Sequence, residues 1–306
     1  MRASIDIGSN TVLLLVGKAS DGRVEVLHEE QRAPRLGRGV DESDRLSGDA
    51  MERVIAVLVE YKELLAASYP SVTDIRVTAT SAVRDAANRS NFLQKVSDET
   101  GLEVEILSGL EEALFTYRGA KSVLPDDTTG AQTAVIDIGG GSTEIAVGRD
   151  NRITDRHSFD MGCVRFTERY LEDDPLSMEQ VNECRNAIAR MLESHHFDFE
   201  AGTTLVGVAG TVTSLAYIDR GLQSYENSLL DGYKLSLQTV SDYISEFRKL
   251  TSMQLRDAHP TVMEQRADIF RAGLLILEAF MKKYDFSKLV VSTGGIRHGA
   301  LLHSAK

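Results

Sequence analysis

Apolar residues gather in short runs near the start of the chain and again near its middle, and turn residues bound each run. Runs of this length between Gly, Asp and Asn residues predict β-strands. Between them lie longer segments in which apolar residues recur every three or four positions, a spacing that predicts helices with one buried face. Strands that alternate with helices predict an α/β fold, with sheets sandwiched by helices.

The pattern places these elements along the whole chain. In the first half, strands are predicted near residues 2–7, 12–19, 24–30 and 75–81, and helices over residues 49–67, 88–100 and 110–123. In the second half, strands are predicted near residues 134–136, 145–147, 205–211 and 290–291. The helices predicted there lie near residues 164–171, 178–194, 212–220, 237–250 and 262–284, with a short one after residue 297.

Two segments, one in each half, carry the same order of polar residues between apolar runs. Residues 4–17 read SIDIGSNTVLLLVG, and residues 134–148 read AVIDIGGGSTEIAVG. The aspartates of the two copies are separated by almost the same interval as two later strand ends, at Thr80 and at Gly210. Such self-similarity indicates two copies of one α/β unit.

The length of 306 residues is typical of about two domains. We expect them at residues 1–124 and 125–306, the second with a helical insertion and with a final helix that packs back onto the first. Residues 125–130 are polar and rich in turn formers, which makes them the best candidate for a linker. Because ligands of α/β sheets bind beyond the strand ends, we expect the functional site in the cleft between the domains.

Composition and charge narrow the class of protein. Hydrophobic residues make up 42% of the chain and charged residues 26%, an ordinary balance for a soluble globular protein. The formal net charge of −12 disfavours nucleic acid or a membrane surface as a partner, so a polyanion would need a local cluster of arginines. Cys163 and Cys184 form neither a metal-ligand spacing nor a disulfide framework. No segment has the length of a membrane span or the features of a signal peptide, so we expect a cytoplasmic protein.

The polar stretch in the second copy has a chemistry of its own. Glycine costs backbone entropy, so the run Gly139-Gly140-Gly141 indicates that a ligand approaches the main chain closely. Asp137 and Glu144 flank the run and offer the oxygen ligands that a hard cation prefers. Bare N–H groups beside a cation suit a phosphate. The alternative is a glycine-rich turn with solvated acids.

Taken in order, the motifs resemble those of the exopolyphosphatase / guanosine pentaphosphate phosphohydrolase (Ppx/GppA phosphatase) family, in its short two-domain form. They are DIGSN (6–10), RLG (35–37), TATSAVR (78–84), SG with EEA (108–113), the run 137–144, MGCV (161–164), AGT (209–211) and GG (294–295). The resemblance implies an α/β fold of two duplicated actin-like (ribonuclease H-like) ATPase domains with an active-site cleft between them. Sugar kinases, actin and DnaK-type chaperones share that fold.

The resemblance also implies an exopolyphosphatase, which releases terminal orthophosphate from inorganic polyphosphate by metal-assisted attack of water. Guanosine pentaphosphate is the alternative substrate within the family, and no sequence feature separates the two. Asp137, Glu144 and Asp6 are implied to hold Mg²⁺ or Mn²⁺, although Asp6 could instead cap a turn, and a homodimer is expected. The residues expected to bind phosphate are Ser9, Asn10, Arg84, Gly139, Gly140, Gly141, Ser142, Thr143, Gly210 and Thr211.

Water that attacks a phosphate needs an acceptor for its proton, and two adjacent glutamates are available. Glu111 and Glu112 open a predicted helix, in which adjacent residues point about 100° apart, so only one of them is expected to face the cleft. The family pattern selects Glu112, the acid directly before Ala113, as the catalytic base. An acid in the first turn also favours the helix dipole, which gives Glu111 a structural role. The residues alone do not choose between the two.

The roles of several other charged or titratable residues stay open. Arg84 could enter the cleft, because a cation at a helix start is disfavoured unless an anion lies near it. Arg35 and Arg38 lie in a loop that could close over a polyanion. Arg266 matches a family arginine but could equally pair with a neighbouring acid on a helix surface. His298 stands where the family often has an acid, and we expect a structural role for it.

Two functions of other classes compete with hydrolysis. A non-catalytic actin-like sensor of nucleotide or polyphosphate needs no glutamate aimed at the terminal phosphate, and one is available here. A small-molecule kinase needs an acceptor pocket, which the inserted helices between Cys163 and Ser194 could build. Longer members of the family carry further helical domains that extend the path for a polymer, so we expect this chain to prefer short polyphosphates.

Overall fold

The computed structural model describes residues 1–125, 132–149 and 152–303. These residues form two mixed β-sheets, each covered by helices and each with its own apolar core. The linker predicted at residues 125–130 lies outside the described residues except for Pro125.

The two sheets have matching topologies. The first consists of β1 (Arg2–Ile7), β2 (Val12–Ser20), β3 (Arg23–Arg32), β4 (Asp74–Ala79) and β5 (Val104–Ile106), in the order β3-β2-β1-β4-β5. The second consists of β6 (Thr133–Ile138), β7 (Thr143–Arg149), β8 (Arg152–Phe159), β9 (Thr204–Val208), β10 (Lys234–Ser236) and β11 (Lys288–Val291), in the order β10-β11-β9-β6-β7-β8. In each sheet the first three strands pair antiparallel, and the first strand begins a parallel series, β1-β4-β5 or β6-β9-β11. Apart from the added edge strand β10, the second sheet repeats the first.

The same four-residue turn closes the leading hairpin of each sheet. The N–H of Gly8 donates to the carbonyl of Thr11 at 2.8 Å, and the N–H of Gly139 donates to the carbonyl of Ser142 at 3.0 Å. These turns follow β1 and β6 and correspond to the two repeated sequence segments. The repeat read from the sequence is therefore a repeat of backbone geometry.

A β-bulge also occurs at the equivalent place in both sheets, at Gly17 between β2 and β3 and at Gly148 between β7 and β8. A Cβ on Gly17 would lie 2.8 Å from the carbonyl oxygen of Glu25, and one on Gly148 would lie 2.4 Å from that of Arg152. The close approach of the next strand requires glycine at both positions. The prediction of two copies of one α/β unit is confirmed.

Helices cover both sheets. Those of the first half are α1 (Val40–Ser43), α2 (Gly48–Ser68), α3 (Ser81–Asp85), α4 (Arg89–Thr100) and α5 (Gly109–Val123). Those of the second half are α6 (Cys163–Tyr170), α7 (Met178–Glu193), α8 (Ala209–Asp219), α9 (Asn227–Leu230), α10 (Leu237–Phe247), α11 (Ser252–Ala258), α12 (Pro260–Met263), α13 (Phe270–Lys283) and α14 (Ile296–Leu302). Within the described ranges, no helix has the length and apolar character needed to cross a membrane.

The single helix predicted over residues 262–284 is wrong, because the chain forms two helices there, α12 and α13. Between them, the N–H of Arg266 bonds to the carbonyl of Met263 at 3.2 Å, and the N–H of Ile269 bonds to that of Arg266 at 3.1 Å. Bonds to the third preceding residue wind the chain more tightly than an α-helix does. The apolar spacing continues across this break, so the sequence pattern did not reveal it.

Each half contributes one helix to the other half. Helix α5 packs on the second sheet, with Ala113 and Tyr117 in one cluster with Val135. Helix α14 packs on the first sheet, where Leu301 lies against Leu15. The two helices also cross each other closely at paired glycines. The halves are thus joined by exchanged helices, and a domain boundary after residue 124 stays a prediction.

Candidate active site

A cleft of about 820 Å³ lies between the two sheets, at the ends of their central strands. The turns after β1 and β6 line it, together with the start of α8 and the start of α14. The interdomain cleft predicted from the repeat is therefore present. Of the residues predicted to bind phosphate or metal, those lining it are Asp6, Ser9, Asn10, Asp137, Gly139, Gly140, Ser142, Glu144, Gly210 and Thr211.

The start of helix α6 anchors the glycine run after β6. The N–H of Cys163 donates to the carbonyl of Gly139 at 2.9 Å, and the N–H of Val164 donates to that of Gly140 at 2.8 Å. Gly162 must be glycine, because a Cβ there would lie 2.4 Å from the carbonyl of Gly140. These contacts explain the MGCV motif. Its Cys163 and Val164 bind the two carbonyls through their N–H groups, and its Gly162 leaves room for the run.

Two serines of the first half touch the same run. The hydroxyls of Ser9 and Ser81 lie 3.0 Å apart. A Cβ on Gly140 would lie 2.6 Å from the Cβ of Ser9, and one on Gly141 would lie 2.7 Å from the Ser81 hydroxyl. Gly140 and Gly141 lack side chains because the other half of the molecule packs directly against them.

Asp137 and Glu144 face each other across the β6–β7 pair and are both buried. The hydroxyl of Thr116 donates to Asp137 at 2.9 Å, and that of Ser158 donates to Glu144 at 2.6 Å. Burial raises the pKa of Asp137 to about 6. Burial and the nearby charge of Asp137 raise the pKa of Glu144 to about 8. Both carboxylates are costly in their charged form unless a cation lies beside them.

Asp6 reaches the same region from the first sheet. It is 8% exposed, and the Thr78 hydroxyl donates to it at 3.3 Å. Burial, with the charge of Asp137, raises the pKa of Asp6 to about 7, and Arg297 opposes this effect. The three acids predicted to hold metal are thus brought to one region. In the described part of the chain, however, no three His, Cys, Asp or Glu side chains already form a set of metal ligands.

The structure places Glu111 and Glu112 in different environments. Glu111 is exposed and caps helix α5, since the N–H and hydroxyl of Ser108 donate to its carboxylate at 2.8 and 2.7 Å. Glu112 is 2% exposed, lines the cleft and accepts a hydrogen bond from the guanidinium of Arg84. Burial, followed by the charge of Glu144, raises the pKa of Glu112 well above its usual value.

Three residues predicted to bind phosphate lie outside the cleft lining. Arg84 reaches the cleft only through Glu112 and also donates to the carbonyl of Leu107 at 3.1 Å. Gly141 packs against Ser81 of the first half. The hydroxyl of Thr143 donates to the carbonyl of Met161 at 2.6 Å, which directs it away from the cleft.

An arginine from the segment between α12 and α13 lies in the cleft, beside the turn before α8. Ala209 has a left-handed backbone, with φ of 62°, and the following Gly210 lies against the guanidinium of Arg266. Burial lowers the pKa of Arg266 below its ordinary value, and across the described ranges no carboxylate forms an ion pair with it. Arg266 is therefore an unpaired cation in a cleft rich in acids. The break between α12 and α13 puts it there, so its position could not be read from a helical pattern.

Arg297, which was not predicted as a site residue, also lines the cleft. Arg297 pairs with Glu29 at 2.9 Å and lies at the start of helix α14, just after Gly294 and Gly295. A cation at a helix start is disfavoured unless an anion lies near it, which is why Arg84 was considered as a cleft residue. Arg297 also stands at a predicted helix start, so the same reasoning could have identified it. Arg35 pairs with Asp268 at 2.7 Å and does not line the cleft.

His298, where the family often has an acid, is fully buried outside the cleft lining. Its Nδ1 accepts the N–H of Gly295 at 3.3 Å, and its Nε2 lies 3.9 Å from Glu29. Burial and the neighbouring Arg297 hold the pKa of His298 well below its usual value. In this chain the acid near that position is Glu29, from the opposite half.

Comparison with known proteins finds relatives over nearly the full length. A model of the Ppx/GppA phosphatase family matches residues 15–306. The chain is 32% identical to exopolyphosphatase 2 of Mycobacterium tuberculosis, over 99% of this chain and 98% of the relative.

Solved structures agree with this match. The Aquifex aeolicus PPX-GPPA enzyme superposes with a TM-score of 0.81 at 32% identity, over 98% of each chain. An exopolyphosphatase from Cytophaga hutchinsonii superposes with a TM-score of 0.86 at 26% identity, over 98% of this chain and 96% of that one. The resemblance drawn from the motifs and the predicted fold class are confirmed.

Proposed function

Because this chain belongs to the Ppx/GppA phosphatase family, we propose that it is an exopolyphosphatase that releases terminal orthophosphate from inorganic polyphosphate. The position of Glu112 is the observation that supports the proposal most directly. This buried carboxylate, held by Arg84, lines the same cleft as the turns after β1 and β6 and the acids Asp6, Asp137 and Glu144. The name of the M. tuberculosis relative supports polyphosphate as the substrate.

Asp137, Glu144 and Asp6 are the proposed ligands of Mg²⁺ or Mn²⁺. They fit a hard cation because burial raises the pKa of all three, a cost that a bound cation removes. Magnesium takes one or two protein carboxylates and completes its shell with water and substrate phosphates, so it needs no preformed set of three ligands. When bound, the cation would neutralise charge on the phosphoryl group that is transferred.

Main-chain groups of the glycine run are the proposed phosphate donors. The carbonyls of Gly139 and Gly140 are bound by α6, and the N–H of Gly139 is bound within its turn. In the described ranges, no backbone acceptor takes the N–H of Gly140 or Gly141. The side chains proposed to add contacts to phosphate are Ser9, Asn10, Ser142, Thr211 and Arg266.

Glu112 is the proposed general base, which accepts a proton from the water that attacks the terminal phosphate. Its raised pKa increases its affinity for that proton, and its hydrogen bond with Arg84 fixes its orientation. Glu111 is assigned no role in the reaction, because its carboxylate caps α5.

Short chains are the proposed substrates, because the outer cleft carries its own negative charge. The acids that line it beyond the proposed metal ligands and the base include Glu29, Glu30, Glu226 and Glu264. Each added phosphate of a long polymer would meet this charge, and only Arg266 and Arg297 oppose it among the lining residues described. The expected homodimer and cytoplasmic location stay predictions.

Guanosine pentaphosphate is the second candidate substrate, and one aromatic residue favours it. Tyr225 lines the cleft near Arg266, with 44% of its surface exposed. It stacks on Tyr217 with ring centroids 5.9 Å apart. An exposed ring in this position offers a face on which a purine base can stack.

The test is phosphate release by the purified full chain from tripolyphosphate, long polyphosphate, guanosine pentaphosphate and ATP, with Mg²⁺ and with excess chelator. The proposal predicts Mg²⁺-dependent release, fastest per chain end from tripolyphosphate. Faster release from guanosine pentaphosphate would establish the second candidate. Binding of these anions without release from any of them would instead identify a sensor.

A further inference from the structure

Arg165, on helix α6, ties the glycine run to the other half of the molecule. Its Nε donates to the carbonyl of Gly141 at 2.8 Å, while its two terminal nitrogens each lie 2.7 Å from a carboxylate, Asp41 on α1 and Asp85 on α3. The side chain is 16% exposed and does not line the substrate cleft. All three nitrogens of the guanidinium group therefore donate hydrogen bonds within the protein, and none faces the cleft.

The internal repeat shows what this contact replaces. In the first half, the carbonyl of Asn10, equivalent to Gly141, accepts the backbone N–H of Arg35 at 3.1 Å. The preceding carbonyls also match, since that of Ser9 accepts a backbone N–H, as Gly140 does. Only at Gly141 does a side chain take the place of the backbone donor. The turn of the second half therefore depends on Arg165 for an anchor that the first half builds into its main chain.

The same arginine reaches toward the proposed base. Asp85 directly follows Arg84, whose guanidinium binds Glu112. Helix α3, which carries both Arg84 and Asp85, is thus linked through Arg165 to the glycine run of the opposite half. One side chain connects the turn proposed to hold phosphate with the helix that orients the proposed base.

We propose that Arg165 is a positioning residue, which fixes the glycine run and helix α3 in the relative arrangement that hydrolysis requires. A cation on the Gly141 carbonyl also polarises that peptide unit, and so strengthens the N–H of Ser142 as a donor to phosphate. The inference rests on the proposed function, because it assigns Arg165 a part in phosphate binding and in orienting the base.

Arg169 provides a matched control on the same helix, one turn further along. It pairs with the same Asp41, at 2.6 Å from its terminal nitrogen, but it is 42% exposed and has no contact with the glycine run. R165A and R169A each remove one positive charge and one ion pair with Asp41. Only R165A removes the contacts with Gly141 and Asp85.

The experiment measures kcat and KM for tripolyphosphate hydrolysis, and tripolyphosphate affinity with Mg²⁺, for the wild type, R165A, R165K and R169A. We expect R165A to lower kcat/KM on the order of 10²-fold, the scale of a small displacement in an active site. R169A is expected to stay within about fivefold, the scale of an exposed ion pair. Added guanidinium is expected to restore part of the R165A activity. R165K is expected to lose on the order of tenfold, because an ammonium cannot reproduce the guanidinium fork.

Equal losses in R165A and R169A, or no rescue by guanidinium, would overturn the inference. If R165A does not fold, R165K against R169A carries the same comparison. A wild type that releases no phosphate contradicts the proposed function instead. In that case the tripolyphosphate affinities test the role of Arg165. The inference still requires R165A to bind tripolyphosphate more weakly than R169A does.

Discussion

The guanidinium of Arg84 holds the carboxylate of Glu112 inside the cleft, and Arg84 itself does not line that cleft. The sequence suggested Arg84 as a direct phosphate ligand. The structure shows it bound to the acid for which the family pattern implies a role as base. We therefore propose that Arg84 orients Glu112.

Metal dependence follows from the acids on β6 and β7. Asp137→Asn and Glu144→Gln keep the shape of each side chain and remove its charge, so each is expected to lower kcat by several orders of magnitude, because a cation at the reacting phosphate contributes several kcal/mol. Phosphate release by wild type and variants is measured against Mg²⁺ and Mn²⁺ concentration. Full wild-type activity in excess chelator would contradict the metal assignment.

The pH dependence of stability follows from Asp6. Its pKa in the folded, metal-free protein is raised from about 3.8 to about 7, so the folded state holds a proton that the unfolded state has lost. The stability from this group is complete below pH 4 and is lost as the pH rises toward 7. Asp6→Asn is thus expected to raise the Tm in chelator at pH 8 by several degrees, and to change it little at pH 4. Asp21→Asn, at an exposed turn, is the matched control, and an Asp6→Asn effect independent of pH would contradict the account.

The anchoring of the glycine run is tested at Gly162. A methyl group there would lie 2.4 Å from the carbonyl of Gly140, so Gly162→Ala must displace the run. We expect kcat/KM to fall on the order of 10²-fold. Gly48→Ala serves as the control, because a Cβ at Gly48 meets no atom within 4 Å. An active Gly162→Ala protein would show that the run tolerates displacement.

Arg266 is expected to contribute binding more than catalysis. Arg266→Met keeps much of the side-chain volume and removes the unpaired cation, so KM for tripolyphosphate should rise about 10- to 100-fold, the scale of a hydrogen bond to a charged group. The value of kcat should change much less. Arg256→Met, at an exposed site on α11, is the control. Equal KM values for the two variants would remove Arg266 from the proposed phosphate site.

The fold, and most of the residues that meet in the cleft, could be predicted because they depend on local patterns. The repeated turns, the acids that flank them and the hydroxyls at strand ends all stand next to apolar runs that identify their strands. The packing of α5 on the second sheet depends instead on contacts between distant segments. The contacts of Arg165 and the hydroxyl of Thr143 were missed for the same reason, since their partners lie in other elements.

The central claim is that this cleft hydrolyses a terminal phosphoanhydride with Glu112 as the base, and a comparison of two neighbouring residues tests it most directly. Glu112→Gln and Glu111→Gln are measured for kcat and for tripolyphosphate affinity in Mg²⁺. The account predicts that Glu112→Gln lowers kcat by roughly 10²- to 10⁴-fold, the contribution typical of a general base, while affinity is kept. Glu111→Gln should keep nearly full activity. Full activity in Glu112→Gln, or a loss of that size in Glu111→Gln instead, would contradict the account.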